Sequence, residues 1–405
     1  MLSEDTINNL VQPLITRQEN INVYILRKIA DRINEIGHLL PSDIHKLERL
    51  LRSGNDVREI NQYLAEQTDL QETEIKQLIK DIAKDSYLDA KPFYDYRHKS
   101  FIPFVKNVPL QRIVTAIAAA TAEEYKNLSN SKAIGFLIRD LKHPNKLKFQ
   151  SVKDTYSSVV DEAIQAVQSG TIDYNTAMRR TMKQLVDSGV RKMYWESGYS
   201  QRLDTAVRRN ILDGVRAINQ GVQDETGRQF GADGKEITVH ENPAPDHEPI
   251  QGHQFTNAEY DKLQNDEPFQ DVLGNKFTHI KRAIGTLNCR HFTYSIIIGQ
   301  TQPNYTLEQL EQIKKRNSKG YTDKNGKHYT MYECTQKQRQ LETLIRKNKD
   351  GQIAAKASGD MELAQAYQAK INKYTKQYKA FSKVCGLSPK MSKASVSGYK
   401  RMKLT

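Results

Sequence analysis

HENPAPDHEPIQGHQF (residues 240–255) and IGTLNCRHFTYSIIIG (284–299) bracket the part of this chain where helical patterning stops. Pro243, Pro245 and Pro249 rule out a helix through the first run. The stretch from His240 to Gly299 holds five of the ten histidines, His240, His247, His253, His279 and His291, and Cys289, one of three cysteines. GKEITVH (234–240) alternates like a strand entering from a glycine-rich turn. HFTYSIII (291–298) alternates through Phe292, Tyr294, Ile296 and Ile298 like a strand leaving. Pairing the two would set His240 beside Cys289 and His291, with a short helix expected over Asn257–Leu263. The stretch predicts a small α+β core domain at 221–304.

Helical patterns flank this core on both sides. Residues 1–90 read as a module of short amphipathic helices. One carries Ile21, Ile25, Leu26, Ile29, Ile33 and Ile36 and stops at Gly37. A second starts at Pro41-Ser42-Asp43, a third carries Val57, Ile60 and Leu64, and a fourth Ile75, Leu78, Ile79 and Ile82. Residues 91–109, KPFYDYRHKSFIPFVKNVP, break the pattern with aromatics and prolines and read as a linker or an aromatic docking strip, the linker being favoured. Residues 110–220 read as a helical arm, broken near Asn130 and Pro144. Its clearest helices carry Tyr156, Val159, Val160, Ala163, Ile164 and Val167 up to Gly170, then Tyr174, Ala177, Met178, Met182, Leu185 and Val186 up to Gly189. Arg202, Arg208 and Arg209 follow and are read as paired with nearby acids rather than with phosphate.

Residues 305–405 form a basic C-terminal region. KGYTDKNGKHYT, with Asn325-Gly326 at its centre, reads as a small hairpin. Two long helices are expected at about 333–356 and 360–384, broken at Ser358-Gly359. In the second, Tyr367, Ile371, Tyr374, Tyr378 and Phe381 make a coiled-coil-like seam. The last twenty residues are expected to be flexible until bound. The predicted fold class is therefore predominantly α and multidomain, with the small α+β core carrying the His/Cys motif.

Of 405 residues, 61 are Lys or Arg and 48 Asp or Glu, a net charge of +13. From Thr306 onward there are 22 basic and 8 acidic residues, so the excess resides in the C-terminal quarter. No acid follows Glu362, against ten basic residues: Lys370, Lys373, Lys376, Lys379, Lys383, Lys390, Lys393, Lys400, Arg401 and Lys403. Lysines interleaved with tyrosines suit a polyanion such as a nucleic-acid backbone, without base reading. Three cysteines make no disulfide framework, and no apolar run reaches transmembrane length or resembles a signal peptide, so a reducing cytoplasm is expected.

His240, Asp246, His247, His253, Cys289 and His291 include the ligand types zinc takes. The spacing has no paired C-x-x-C, and such histidines can instead hydrogen-bond to backbone and shape the loop. No cofactor is expected on that reading, and a structural zinc stays open. A metal-dependent nuclease with His247 as general base beside Asp246 is the rival enzymatic reading. Cys289 with His291 lacks a third orienting group for nucleophilic chemistry. No P-loop or dinucleotide fingerprint is present.

Together, VDEAIQAVQSGTIDYNTAMRRTMKQLVDSGV, YWESGYSQRLDTAVRRNILDGV, the His…His…Gln-Gly…Asn-Cys-Arg-His core and the closing QKQRQLETLIRKNKD resemble the minor capsid protein 2 family of tailed bacteriophages. A looser likeness is to the Mu protein F-like head morphogenesis proteins. His240, Pro245, His247, Gln251, Gly252, Asn288, Cys289, Arg290 and His291 match the family pattern. Ala244 stands where its turn has arginine, and Asn242-Pro243 replaces Gly-Ala, so no role of that arginine carries over here. The resemblance implies a low-copy structural protein of the virion, inside the phage head near the portal, made in the host cytoplasm, with a part in head morphogenesis or in DNA packaging or ejection. Its implied partners are the portal protein, the major capsid or scaffolding protein, and packaged double-stranded DNA bound non-specifically. No enzymatic activity and no membrane are implied. An assembly scaffold or chaperone absent from the mature virion is the second rival.

Overall fold

The computed structural model describes residues 4–38, 55–130, 133–140, 145–169, 174–278, 280, 282–285, 289 and 291–404. The helices are α1 (Glu4–Gly37), α2 (Asn55–Leu88), α3 (Lys91–Tyr96), α4 (Val108–Leu128), α5 (Val152–Ser169), α6 (Tyr174–Ser188), α7 (Leu203–Phe230), α8 (Asn257–Gln264), α9 (Leu307–Lys319), α10 (Met331–Ala357) and α11 (Met361–Val384). The strands are β1 (Ile134–Arg139), β2 (Leu147–Ser151), β3 (Arg191–Tyr194), β4 (Tyr199–Arg202), β5 (Gly234–Ile237), β6 (Gln254–Thr256), β7 (Phe269–Gln270), β8 (Lys276–Phe277), β9 (Thr293–Ile296), β10 (Tyr321–Thr322) and β11 (His328–Tyr329). The chain is predominantly helical with sheets of two to four strands, as the patterning predicts.

Two compact units emerge, each assembled from three segments. The first combines Met1–Val11, Thr73–Glu123 and Arg209–Lys337; the second combines Gln12–Glu72, Glu124–Arg208 and Gln338–Thr405.

In the second unit, α1 buries Ile21, Ile25, Leu26, Ile29, Ile33 and Ile36 to 1% exposure or less, and it ends at Gly37 as read. Tyr24 stacks on Tyr63 of α2 at 4.0 Å, and the Gln18 amide donates to Gln71 (2.7 Å) and to Tyr125 Oη (2.6 Å). The third and fourth N-terminal helices of the sequence reading are one helix, α2. Its span has no glycine or proline, and its polar middle, residues 67–74, consists of residues a helix tolerates. The gap in the apolar stripe is filled by the buried polar residues Thr68 and Gln71, which is why it resembles a break. The helix expected from Pro41 lies outside the described residues.

The region 110–220, read as a helical arm with a break near Asn130 and Pro144, contains an antiparallel sheet of order β2-β1-β3-β4. Ile134–Ile138 is a short apolar run, and periodicity alone does not separate a buried strand from a buried helix there. Gly135 faces Ser151 in register, and a Cβ on it would lie 1.9 Å from the Gln150 carbonyl oxygen. Only glycine allows that approach. α5 and α6, bounded close to where the sequence places them, pack against β1.

α10 and α11 match the two long helices expected. Tyr367, Ile371 and Tyr378 of the seam are buried. Ile371 and Tyr378 cluster with Leu341, Ile345 and Ala394, and Tyr374 and Phe381 pack against that cluster. The expectation of a flexible tail is corrected. Ala394 and Val396 are buried, and Tyr378 Oη accepts from the Lys390 amide. Gln368 Oε1 accepts from Tyr399 Oη and from the Met402 amide, each at 2.9 Å. Hydrogen bonds to a buried glutamine and a buried tyrosine hold what composition alone reads as disordered.

In the first unit, aromatics of the 91–109 strip pack inward. Phe101 stacks on Tyr87 (4.6 Å), Phe93 stacks on Phe230 (5.2 Å), and Tyr94 Oη donates to Gln229 (2.6 Å). The core stretch forms a three-stranded sheet of order β6-β5-β9, with α8 capped by Thr256, whose side chain accepts from the Glu259 amide. Ile237, Ile250, Phe255, Tyr260, Leu263, Phe269, Ile280 and Ile284 make its apolar centre. The Asn325-Gly326 hairpin forms as β10 and β11.

A histidine–cysteine cluster as the candidate functional site

β5 and β9 pair antiparallel, with Gly234 opposite Ile296 and Ile237 opposite Thr293. The pairing continues beyond the strands: the Thr238 amide donates to the Phe292 carbonyl (3.0 Å), and Thr238 Oγ1 accepts from the Phe292 amide (2.9 Å). This register carries His240 next to His291, their ring centroids 4.2 Å apart, as the strand-pairing argument predicts.

The proline-rich loop supplies the other side. The Ala244 carbonyl accepts from the amides of His247 (2.9 Å) and Glu248 (3.1 Å), forming a tight turn after Pro243. Asp246 pairs with both Nε and Nη2 of Arg282, fixing the turn from outside. Gly252, at φ +76°, returns the chain so that its amide donates to the Ile237 carbonyl (2.8 Å); a Cβ there would lie 2.5 Å from Leu310 Cδ2. The matched position Gly252 thus has a local structural reason, and Gln251 Oε1 accepts from the His240 amide (3.3 Å).

His247, Cys289 and His291 converge. Cys289 Sγ lies 3.4 Å from Nδ1 of each histidine. Both histidines are almost fully buried, at 2% and 1% exposure, and Cys289 packs against the apolar centre. His247 Nε2 meets the Arg282 carbonyl oxygen at 2.8 Å, and His291 Nε2 meets Gln251 Oε1 at 3.4 Å. These three are the residues, among those described, that could together hold a metal ion.

Electrostatics follow from burial. Burial, helped by the neighbouring His240 and His247, pushes His291 down to about 2, so its ring is neutral. Burial would raise the Cys289 thiol, but the bond to His247 and the backbone amides of Gly285 and His291 bring it below its ordinary value. Burial likewise opposes charging of His247, yet the contacts with Cys289, the Arg282 carbonyl and Asp246 raise it.

Other sequence candidates fall elsewhere. His253 Nδ1 bonds Asp271 Oδ2 (2.7 Å) rather than joining the cluster. His279, Asn288 and Arg290 lie outside the described residues. His247, the base of the nuclease reading, is buried with both ring nitrogens engaged, so it is not presented to a substrate arriving from solvent.

The second unit holds a set that motif reading misses apart from Arg202. Arg202 pairs with Asp204 (3.4 Å) and Asp350 (3.3 Å), and Arg346 pairs with Glu19 (3.1 Å) and Asp204 (3.2 Å). Asn22 donates to Asp350 (3.0 Å) and accepts from the Val190 amide (2.8 Å). Burial pushes Glu19 up to about 7 and Asp350 up to about 6. No short-range signal marks these residues, since Glu19 and Arg346 are 327 positions apart.

Of the basic positions singled out, Lys370, Lys373, Lys376, Lys379, Lys383, Lys390, Lys400, Arg401 and Lys403 are exposed and Lys393 is half-buried. At about 100° per residue, Lys373, Lys376, Lys379 and Lys383 fall within about 120° centred opposite the Tyr/Ile seam. Lys370 sits beside the seam with Nζ over the Tyr367 ring at 5.5 Å.

No curated protein and no solved structure matches this chain. A family model described as phage minor capsid protein 2 matches residues 2–383, almost the whole length, and the chain belongs to that family.

Proposed function

We propose that this minor capsid protein is a low-copy component of the phage head interior, placed near the portal, where its basic C-terminal helix lies against packaged DNA. The observation that carries the DNA contact is the face of α11. Its apolar side is used by the seam, while Lys373, Lys376, Lys379 and Lys383 project the other way with no acid after Glu362. Such a face neutralises phosphates without reading bases. The portal and the major capsid or scaffolding protein remain the expected protein partners. Among the described residues no helix is long and apolar enough to cross a membrane.

The position in the particle is tested by quantitative peptide mass spectrometry of full particles, DNA-free heads and particles after DNA release. Low copy number in full and empty heads alike is the expected result. Loss only after DNA release would mean that the protein leaves with the genome. Absence from every mature particle would replace this reading with the assembly-factor one.

A further inference from the structure

We propose that His247, Cys289 and His291 bind one Zn2+ ion through Nδ1, Sγ and Nδ1, tying the proline-rich loop to the segment that enters β9. The Arg282 carbonyl can only accept, so His247 Nε2, 2.8 Å away, carries the hydrogen. Gln251 Oε1 is fixed as an acceptor by the His240 amide (3.3 Å), so the contact at 3.4 Å assigns the hydrogen of His291 to its Nε2. Nδ1 is then a lone pair in His291, and in His247 whenever that ring is neutral, and both Nδ1 atoms face Cys289 Sγ at 3.4 Å.

One thiol hydrogen cannot serve two acceptor nitrogens, both of them on almost fully buried rings. A cation between the three atoms satisfies all of them. On binding, the thiol gives up its proton to solvent, and sulfur and two nitrogens donate their electron pairs to the metal.

Dimensions and chemistry agree. Tetrahedral zinc with ordinary Zn–S and Zn–N bonds sets sulfur and nitrogen about 3.5 Å apart. One thiolate with two imidazoles suits zinc rather than the hard cations, which prefer oxygen. Each ligating ring also has its other nitrogen held by an oxygen, the outer-shell arrangement that orients metal-bound histidines. The fourth position is taken by water or by His240, whose ring lies 4.2 Å from that of His291. The ligands come from the proline-rich loop and from positions shortly before β9, so the ion would act as a cross-link between them. The inference does not depend on where the protein sits in the particle.

The test is elemental mass spectrometry of the full-length chain, with Co2+ titration after chelation. One zinc per chain is expected, together with a tetrahedral Co2+ spectrum containing a thiolate-to-cobalt charge-transfer band. Cys289→Ser should abolish that band and weaken metal binding at least tenfold while circular dichroism stays unchanged. His253→Gln, outside the cluster, should keep the metal. A folded wild-type chain that binds neither Zn2+ nor Co2+ stoichiometrically would overturn the proposal, as would equal loss of metal in His253→Gln and Cys289→Ser.

Discussion

Glu19 shows what burial does to a single charge in this protein. It lies beside Arg346, with Asp204 and Asp350 close by, and burial is the largest influence that raises its carboxyl from 4.5 to about 7. The native state therefore binds this proton more tightly than the unfolded chain does. Its contribution is complete below about pH 4.5 and is lost as pH rises through 7. Glu19→Gln removes that dependence, so the stability of the variant relative to wild type should improve between pH 5 and pH 8 by about 2–3 kcal/mol. Urea unfolding followed by Trp195, the one tryptophan and part of the same unit, reads this directly; a pH-independent difference would refute it. In the other unit, Gly252→Ala combines a left-handed backbone with a Cβ 2.5 Å from Leu310. We expect a loss of about 1–3 kcal/mol, measured as a lower denaturant midpoint at unchanged slope.

At the level of elements, α11 divides its two faces between packing and charge. Its seam covers Leu341 and Ile345 of α10, and the tail returns over both through Ala394 and Tyr399. Deleting residues 360–405 would therefore uncover core side chains rather than remove a free arm. Replacing Lys373, Lys376, Lys379 and Lys383 together by Gln leaves the seam intact. The slope of log affinity for double-stranded DNA against log salt concentration should fall by up to about 3–4, because each lost phosphate contact contributes about 0.9. Melting temperature should stay within about 2 °C, since exposed substitutions away from packing change stability little. An unchanged salt slope would remove α11 from the DNA contact.

At the scale of the molecule, each unit needs segments far apart in the chain. The second unit takes its last segment, Gln338–Thr405, from the C-terminal end, and Arg346 and Asp350 on that segment meet Glu19, Asn22 and Arg202. A chain ending at residue 337 would leave Glu19 and Arg202 without these partners, at a cost of several kcal/mol if they stayed buried, so the surrounding packing should open to water. Hydrogen exchange should then show β1 losing protection while the paired amides of β5 and β9 keep theirs. Equal protection of β1 in both chains would mean that the third segment is dispensable.

What the sequence determined by itself were features written within a few residues or along one periodicity. These include the end of α1 at Gly37, the bounds of α5, α6, α10 and α11, the Asn325-Gly326 hairpin, and the strand alternation that sets His240 beside His291. The family was also legible, because several short motifs in fixed order carry more information than any one of them. Where periodicity was ambiguous or interrupted, the reading failed: β1 looks like a helix fragment, and the polar middle of α2 looks like a break. Only the tertiary structure decided which side chains meet. It chose Cys289 and His291 with His247, not His253, and it joined Glu19 to Arg346 and Gln368 to the tail. Those choices depend on contacts between positions tens to hundreds of residues apart, whose stabilisation comes from burial and hydrogen bonding in the folded chain and leaves no local pattern in the sequence.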